Sequence, residues 1–171
     1  MTSTTADSRW TIRPAVTGDA EAIAQIYNYY VQAGGATFDA TPWETAQVGE
    51  MLPPVAPEQW LVAWDQTGLL GWASARRFSV RYGYRLSLET AMYLDPNAIG
   101  GGVAAGLQQQ LEDRCRNHQI HHAMARIIAD NQRSLAFHYR HGYELVGIQK
   151  EVGFINGKWT DVAILQKILS S

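Results

Sequence analysis

Over residues 86–107 the chain passes through an apolar stretch, a hard stop and a glycine cluster, and few folds accommodate all three. Residues 86–94 are mostly apolar, with one acid, Glu89. Asp95-Pro96 ends the stretch, because proline has no N–H for a ladder and restricts the residue before it. Gly100, Gly101 and Gly102 follow and lead into Val103, Leu107 and Leu111, a stripe at helical i, i+4, i+8 spacing. Strand, glycine loop and helix start in that order read either as a plain turn or as an anion cradle. In a cradle, glycines allow close backbone approach and the first helical N–H groups point unpaired at the ligand.

The rest of the chain supplies partners for this unit. Residues 10–14 alternate and end at Pro14, which predicts a first strand. Thr17 is the expected N-cap of a helix over 20–31, whose Ile23, Ile26, Tyr27 and Tyr30 share one face and which Gly34-Gly35 closes. A short extended piece at 36–39 and a short helix over 45–52 come next, broken by Pro53, Pro54 and Pro57. Residues 60–64 and 69–78 form a hairpin around the turn 65–68. Beyond the central unit lie a helix over 103–118, a strand over 122–128 and a helix from Asp130 to the stop at His141-Gly142. The last hairpin, 143–154 with 158–169, turns at Asn156-Gly157. The order β-α-(α)-β-β-β-α-β-α-β-β predicts an α/β fold, a twisted mixed sheet with helices on both faces.

At 171 residues a single domain over 9–171 is expected, after a polar tail at 1–8 expected to be disordered. A net charge of −2 with 18% charged residues argues against nucleic-acid and membrane partners. Cys115 is the only cysteine, which fits a reducing cytoplasm; on the stripe of Leu107 and Leu111 it reads as a buried small hydrophobe rather than a nucleophile. The start has no apolar core of a signal peptide, and no apolar run approaches the ~20 residues of a membrane span. A cytoplasmic chain is the expectation.

Four groups of residues follow one another along the chain: Ala22, Gln25, Ile26, Tyr27 and Asn28 with residues 36–39; Glu89, Met92, Tyr93, Leu94 and Pro96; Asn131, Ser134, His138, Gly142 and Tyr143; and Glu151, Gly153, Gly157, Lys158, Trp159 and Asp161. Together they resemble the GCN5-related N-acetyltransferases, GNAT for short, and within them the phosphinothricin and methionine sulfoximine N-acetyltransferase group. Their order over nearly the whole chain carries the resemblance.

The resemblance implies transfer of an acetyl group from acetyl-CoA, the cosubstrate, to a primary amine by direct attack, with no metal. Backbone groups of Met92, Tyr93 and Leu94 would pair with the pantetheine arm as an added strand. The loop Gly100, Gly101, Gly102, Val103, Ala104 and Ala105 would hold the pyrophosphate. Asn131, otherwise a plain N-cap, would bond the pantetheine amide, and Arg140 would also contact the cofactor. Glu89 is the candidate general base, with a structural ion pair to Arg81 or Arg85 as the alternative. His138 or Tyr139 would protonate the departing thiolate, a buried hydrogen-bonded histidine being the other reading of His138. Phe38, Phe78, Arg81 and Trp159 would line the acceptor pocket, or else belong to the core.

Two departures from the family pattern stand out. Ile99 and Ala105 occupy loop positions where a basic or amide residue is common, so the loop keeps its N–H donors without a charge of its own. Ser79 stands where the phosphinothricin group often has the first of two arginines, leaving Arg81. The expected acceptor is a small amino-acid-like amine, and a homodimer is implied. The competing expectations are a polyamine or protein N-terminus as acceptor, and a non-catalytic acyl-CoA-binding sensor.

Overall fold

The computed structural model describes residues 10–169, and the expected tail 1–8 lies outside the described residues. One sheet contains β1 (Thr11–Pro14), β2 (Gln59–Asp65), β3 (Gly68–Arg77), β4 (Ser87–Leu94), β5 (His122–Ile128), β6 (Glu144–Ile155) and β7 (Lys158–Ile168). The helices are α1 (Ala20–Ala33), α2 (Thr45–Glu50), α3 (Val103–Asn117) and α4 (Gln132–Arg140). Strand order is β1-β2-β3-β4-β5-β7-β6, with β4 and β5 the parallel pair. The element order is the one expected, with boundaries moved by a few residues at most.

The period-two alternation of β2 feeds two separate cores. Trp60 and Val62 face Ile23, Tyr27 and Val48 of α1 and α2. Leu61 and Ala63 face Leu107, Leu111 and Cys115 of α3. Complete burial of each such side chain stabilises by roughly 1.5–3 kcal/mol. Cys115 behaves as the small hydrophobe expected: burial, helped by the Glu112 charge, pushes its thiol up to about 12.

The start of α1 differs from expectation. Thr17 opens a single 3₁₀ turn, and its hydroxyl donates to the Leu52 carbonyl at 3.1 Å instead of capping the helix. Asp19 closes that turn: its buried carboxylate accepts two bonds from Arg13, at 2.7 and 2.8 Å, and one from the Val16 N–H at 2.8 Å.

What positions the site is the shortness of the parallel pairing. β4 meets β5 only through Ser87, Leu88 and Glu89 against His122, Ala123 and Met124. Beyond Glu89 the two strands part. The buried hydroxyl of Thr90 marks the parting point, donating to the Met124 carbonyl at 3.2 Å and meeting the Tyr143 hydroxyl at 3.3 Å. A polar chain continues inward from there. Gln108 donates to Tyr143 at 3.3 Å and to Glu112 at 2.8 Å, and Lys167 donates to both Glu112 oxygens at 2.8 and 2.7 Å.

The loop after α1 crosses the opening on the α1 side of the sheet. Tyr93 of β4 donates its hydroxyl to the Ala36 carbonyl at 3.1 Å, while the Phe38 ring lies against Gly153 of β6 so closely that a Cβ there would collide with it. Tyr27 ties this loop to α1 by donating to Asp39 at 2.6 Å.

Candidate active site

The free edge of β4 follows from its ladder. The Asp95 N–H donates to the Leu70 carbonyl at 2.8 Å, so Asp95 and Leu70 form a hydrogen-bonded pair. In an unbroken antiparallel register such pairs alternate, and Trp72 with Tyr93 is the next. Met92 and Leu94 therefore turn their N–H and C=O groups away from β3 into the opening. Tyr93 does not. Its main chain serves β3, which corrects the expectation that all three residues offer backbone groups to a ligand. The Tyr93 phenol is committed to Ala36, and burial pushes it up to about 12. The Leu94 carbonyl already accepts the Tyr30 hydroxyl at 2.7 Å, so its N–H is the group left free.

The glycine loop has the form of a cradle. Gly100 and Gly102 hold φ of +89° and +80°, which L side chains rarely adopt, and open space surrounds both. Gly102 caps α3 without any side-chain bond, so the N–H groups of Val103, Ala104 and Ala105 face outward with the positive end of the helix dipole. Ile99 is 39% exposed at the rim and contributes no charge.

Opposite the loop, Asn131 caps α4. Its Oδ1 accepts the Ser134 N–H at 3.2 Å, leaving the side-chain NH₂ free to donate. The plain N-cap reading and the ligand reading are thus compatible, using different atoms. Asn131, Arg133, Tyr30, Gly35 and Ile99 line a cleft of about 650 Å³. Arg133 is close enough to Tyr30 to oppose part of the upward push that burial gives this phenol. Arg140 is exposed at the far end of α4, roughly 13 Å along the axis from Asn131 at 1.5 Å per residue, and does not line the cleft.

Glu89 lies at the last rung of the parallel pairing. Leu88 and Thr90 point to the α3 side, so Glu89 points to the α1 side. Both its oxygens accept from Arg126 of β5, Oε1 from Nε at 2.7 Å and Oε2 from Nη2 at 2.8 Å. The ion pair weighed as an alternative exists, but with neither expected partner. The Arg85 guanidinium lies 4.2 Å from the centre of the Tyr82 ring, and the Arg81 main chain donates to Ser79 at 3.3 Å.

His138 lies on the other face, its ring edge-on to Tyr143 with 5.0 Å between centroids. Its Nδ1 is 2.8 Å from the Ser134 carbonyl, which can only accept, so Nδ1 carries the proton. Burial lowers the His138 pKa and favours the neutral ring, whose remaining nitrogen is an acceptor. As a resting acid His138 lacks a proton to give. Tyr139, the next residue on α4, is 47% exposed.

The four expected acceptor-lining residues do not form one cluster. Phe38 lies on Gly153, Phe78 against Tyr84 at 4.9 Å, Trp159 against Phe154 at 5.1 Å, and Arg81 in the 79–85 loop. Sequence reasoning missed Arg126, Tyr30 and Arg133. Arg126 carried a signal: it is the one permanently charged residue in an apolar strand, as Glu89 is in its own. Among the described residues no group of His, Cys, Asp and Glu is arranged to hold a metal ion, and no helix is long and apolar enough to cross a membrane.

A family model described as an acetyltransferase (GNAT) domain matches residues 12–164. The chain is 33% identical over 164 residues to the phosphinothricin N-acetyltransferase of Alcaligenes faecalis, covering 94% of this chain and 83% of that protein. It is 32% identical to the L-methionine sulfoximine/L-methionine sulfone acetyltransferase of Pseudomonas paraeruginosa, covering 91% and 92%. Its fold matches the GNAT superfamily phosphinothricin acetyltransferase of Sinorhizobium meliloti, solved in complex with AcCoA. The TM-score there is 0.88 at 33% identity, over 95% of this chain and 89% of that one.

Proposed function

The chain belongs to the GNAT acetyltransferase family, an acetyl-CoA-dependent acyltransferase, and we propose that its acceptor is the primary amine of a small amino-acid-like molecule of the phosphinothricin or methionine sulfoximine kind. The observation that carries this reading is the position of Glu89, at the root of the opening whose β4 edge exposes the Met92 and Leu94 N–H groups.

The residues present fit acetyl-CoA. The free N–H groups of Met92 and Leu94 are donors for the pantetheine arm, and the Asn131 NH₂ is a further donor for an amide carbonyl. The Gly100–Gly102 loop and the first turn of α3 offer the pyrophosphate main-chain donors and a positive dipole. A main-chain N–H at the opening also stabilises charge developing on the thioester oxygen.

In the reaction the acceptor nitrogen forms a bond to the acetyl carbon and the C–S bond breaks. An aliphatic amine is largely protonated at neutral pH, having a reference pKa near ~10. Glu89 takes the proton that nitrogen must lose, and Tyr139 gives one to the departing thiolate. Phe38, lying over the opening against Gly153, supplies an apolar contact to the acceptor side chain. For the homodimer, the exposed side chains of Val146, Ile148 and Val152 on edge strand β6 are the surface a second copy would cover.

The test is an acceptor screen with acetyl-CoA, read as free thiol release with the product identified by mass. Turnover confined to amino-acid-like amines is the expected result. Turnover confined to polyamines or peptide N-termini would replace the acceptor, and acetyl-CoA binding without turnover of any amine would point to a sensor.

A further inference from the structure

Glu89 and Arg126 are placed for more than bracing two strands. Glu89 is opposite Met124 in the last parallel rung, and Arg126 follows two residues later on the same face, since Ala125 and Ile127 pack into the α3 core. The guanidinium thus starts beyond the parting point and reaches back across it. The pair stays open to solvent, with side-chain exposures of 57% for Arg126 and 25% for Glu89, and exposed ion pairs add little to stability.

The contact uses only one side of the guanidinium. Nε–H and one Nη2–H meet Glu89, so three of the five N–H donors, including both on Nη1, have no partner among the described residues. The Nη1–Nη2 edge is a fork that matches a carboxylate in two parallel hydrogen bonds. Beside it, Glu89 keeps lone pairs for an ammonium. An anion-accepting fork next to an ammonium-accepting carboxylate mirrors the two charges on the α-carbon of an amino acid.

We infer that Arg126 reads the acceptor's α-carboxylate through this open edge while Glu89 holds its amine, making Arg126 a specificity-determining residue. The inference rests on the amino-acid-like acceptor proposed above. An amine without a carboxylate occupies Glu89 but leaves the fork unfilled, and this difference is the source of selectivity.

The test compares L-methionine sulfone, its methyl ester and its decarboxylated amine as acceptors. Wild type is expected to favour the free acid by roughly 10- to 100-fold in kcat/KM, as for a charge-assisted bond. Arg126→Gln should shrink that preference to within about threefold, mainly by raising KM for the acid. Arg126→Lys keeps a charge but not the fork and should retain part of it, with a melting curve confirming the fold of both variants. A residue that only braces strands would slow all three acceptors alike. An undiminished preference in Arg126→Gln and Arg126→Lys overturns this inference and leaves the acceptor class standing. Wild-type turnover of the decarboxylated amine alone overturns the acceptor class itself.

Discussion

Glu89 and His138 stand on opposite faces of the sheet, flanking the opening between β4 and β5. Leu88 and Thr90, the neighbours of Glu89, turn toward α3, while His138 packs on Tyr143 within that same α3 layer. A group in the opening has a carboxylate on one side and the α4 surface on the other. Under the proposed reaction, the two proton transfers would take place on separate faces.

Removing the carboxylate's proton affinity while keeping its shape tests the first face. Glu89→Gln is expected to lower kcat roughly 10²–10⁴-fold at neutral pH. The deficit should narrow as pH rises and the acceptor amine loses its proton unaided. Thiol-release kinetics from pH 6.5 to 9.5 provide the measurement, and an unchanged kcat at pH 7 would place the base elsewhere.

On the second face, Tyr139→Phe removes the available O–H. A kcat loss of roughly 10²-fold or more is expected, with acetyl-CoA affinity preserved in calorimetry.

His138 enters through stability. Burial lowers its folded-state pKa, so the unfolded chain binds this proton more readily than the folded one. Its stabilising contribution is complete above the unfolded value of about 6.5 and is lost as pH falls through the lower folded value. Urea midpoints should therefore fall more steeply from pH 7.5 to 5 in wild type than in His138→Gln. Parallel slopes would mean that the imidazole titrates as freely folded as unfolded.

Lys167 Nζ meets both oxygens of the buried Glu112 and also the His141 carbonyl at 2.6 Å. Glu112→Ala strands an ammonium that is only 20% exposed and leaves Gln108 short of an acceptor. A loss of about 3–5 kcal/mol is expected, or on the order of 10 °C in Tm, measured by thermal unfolding.

At the rim of the glycine loop, Ile99→Arg adds a charge beside the cradle. The exposure of this position limits the gain to roughly 1 kcal/mol or less, a three- to fivefold lower Kd for acetyl-CoA at low salt. The gain should fade near ~0.5 M salt, where screening is short-ranged. Calorimetry at two ionic strengths checks it; weaker binding at both would show that Ile99 serves as an apolar support.

The elements were legible from local patterns: Ile23, Tyr27 and Tyr30 mark one helix face, and Trp60 to Trp64 are a short apolar run closed by the turn at 65–68. Glu89 was legible as the lone acid in β4. Its partner was not, because Arg126 lies 37 residues away and the contact depends on a parallel register that no local pattern sets. Tyr93 was misassigned for a related reason. Which main-chain groups of β4 remain free depends on the pairing of Asp95 with Leu70, a tertiary fact. Thr17 looked like a cap because threonine caps helices, yet the Leu52 carbonyl, 35 residues on, competes for the hydroxyl. Local chemistry named the residue types; register and packing chose the partners.

The alternation along the free edge of β4 sets a pattern for amide hydrogen exchange. Tyr93, bonded into β3, should exchange slowly in the unliganded protein, while Met92 and Leu94, one residue to either side, have no strand to shield them. Acetyl-CoA, filling the seam as one more strand, should slow exchange at those two amides and leave the intervening one nearly unchanged. The sheet would then record its ligand as a every-other-residue signature, readable without any chemical turnover.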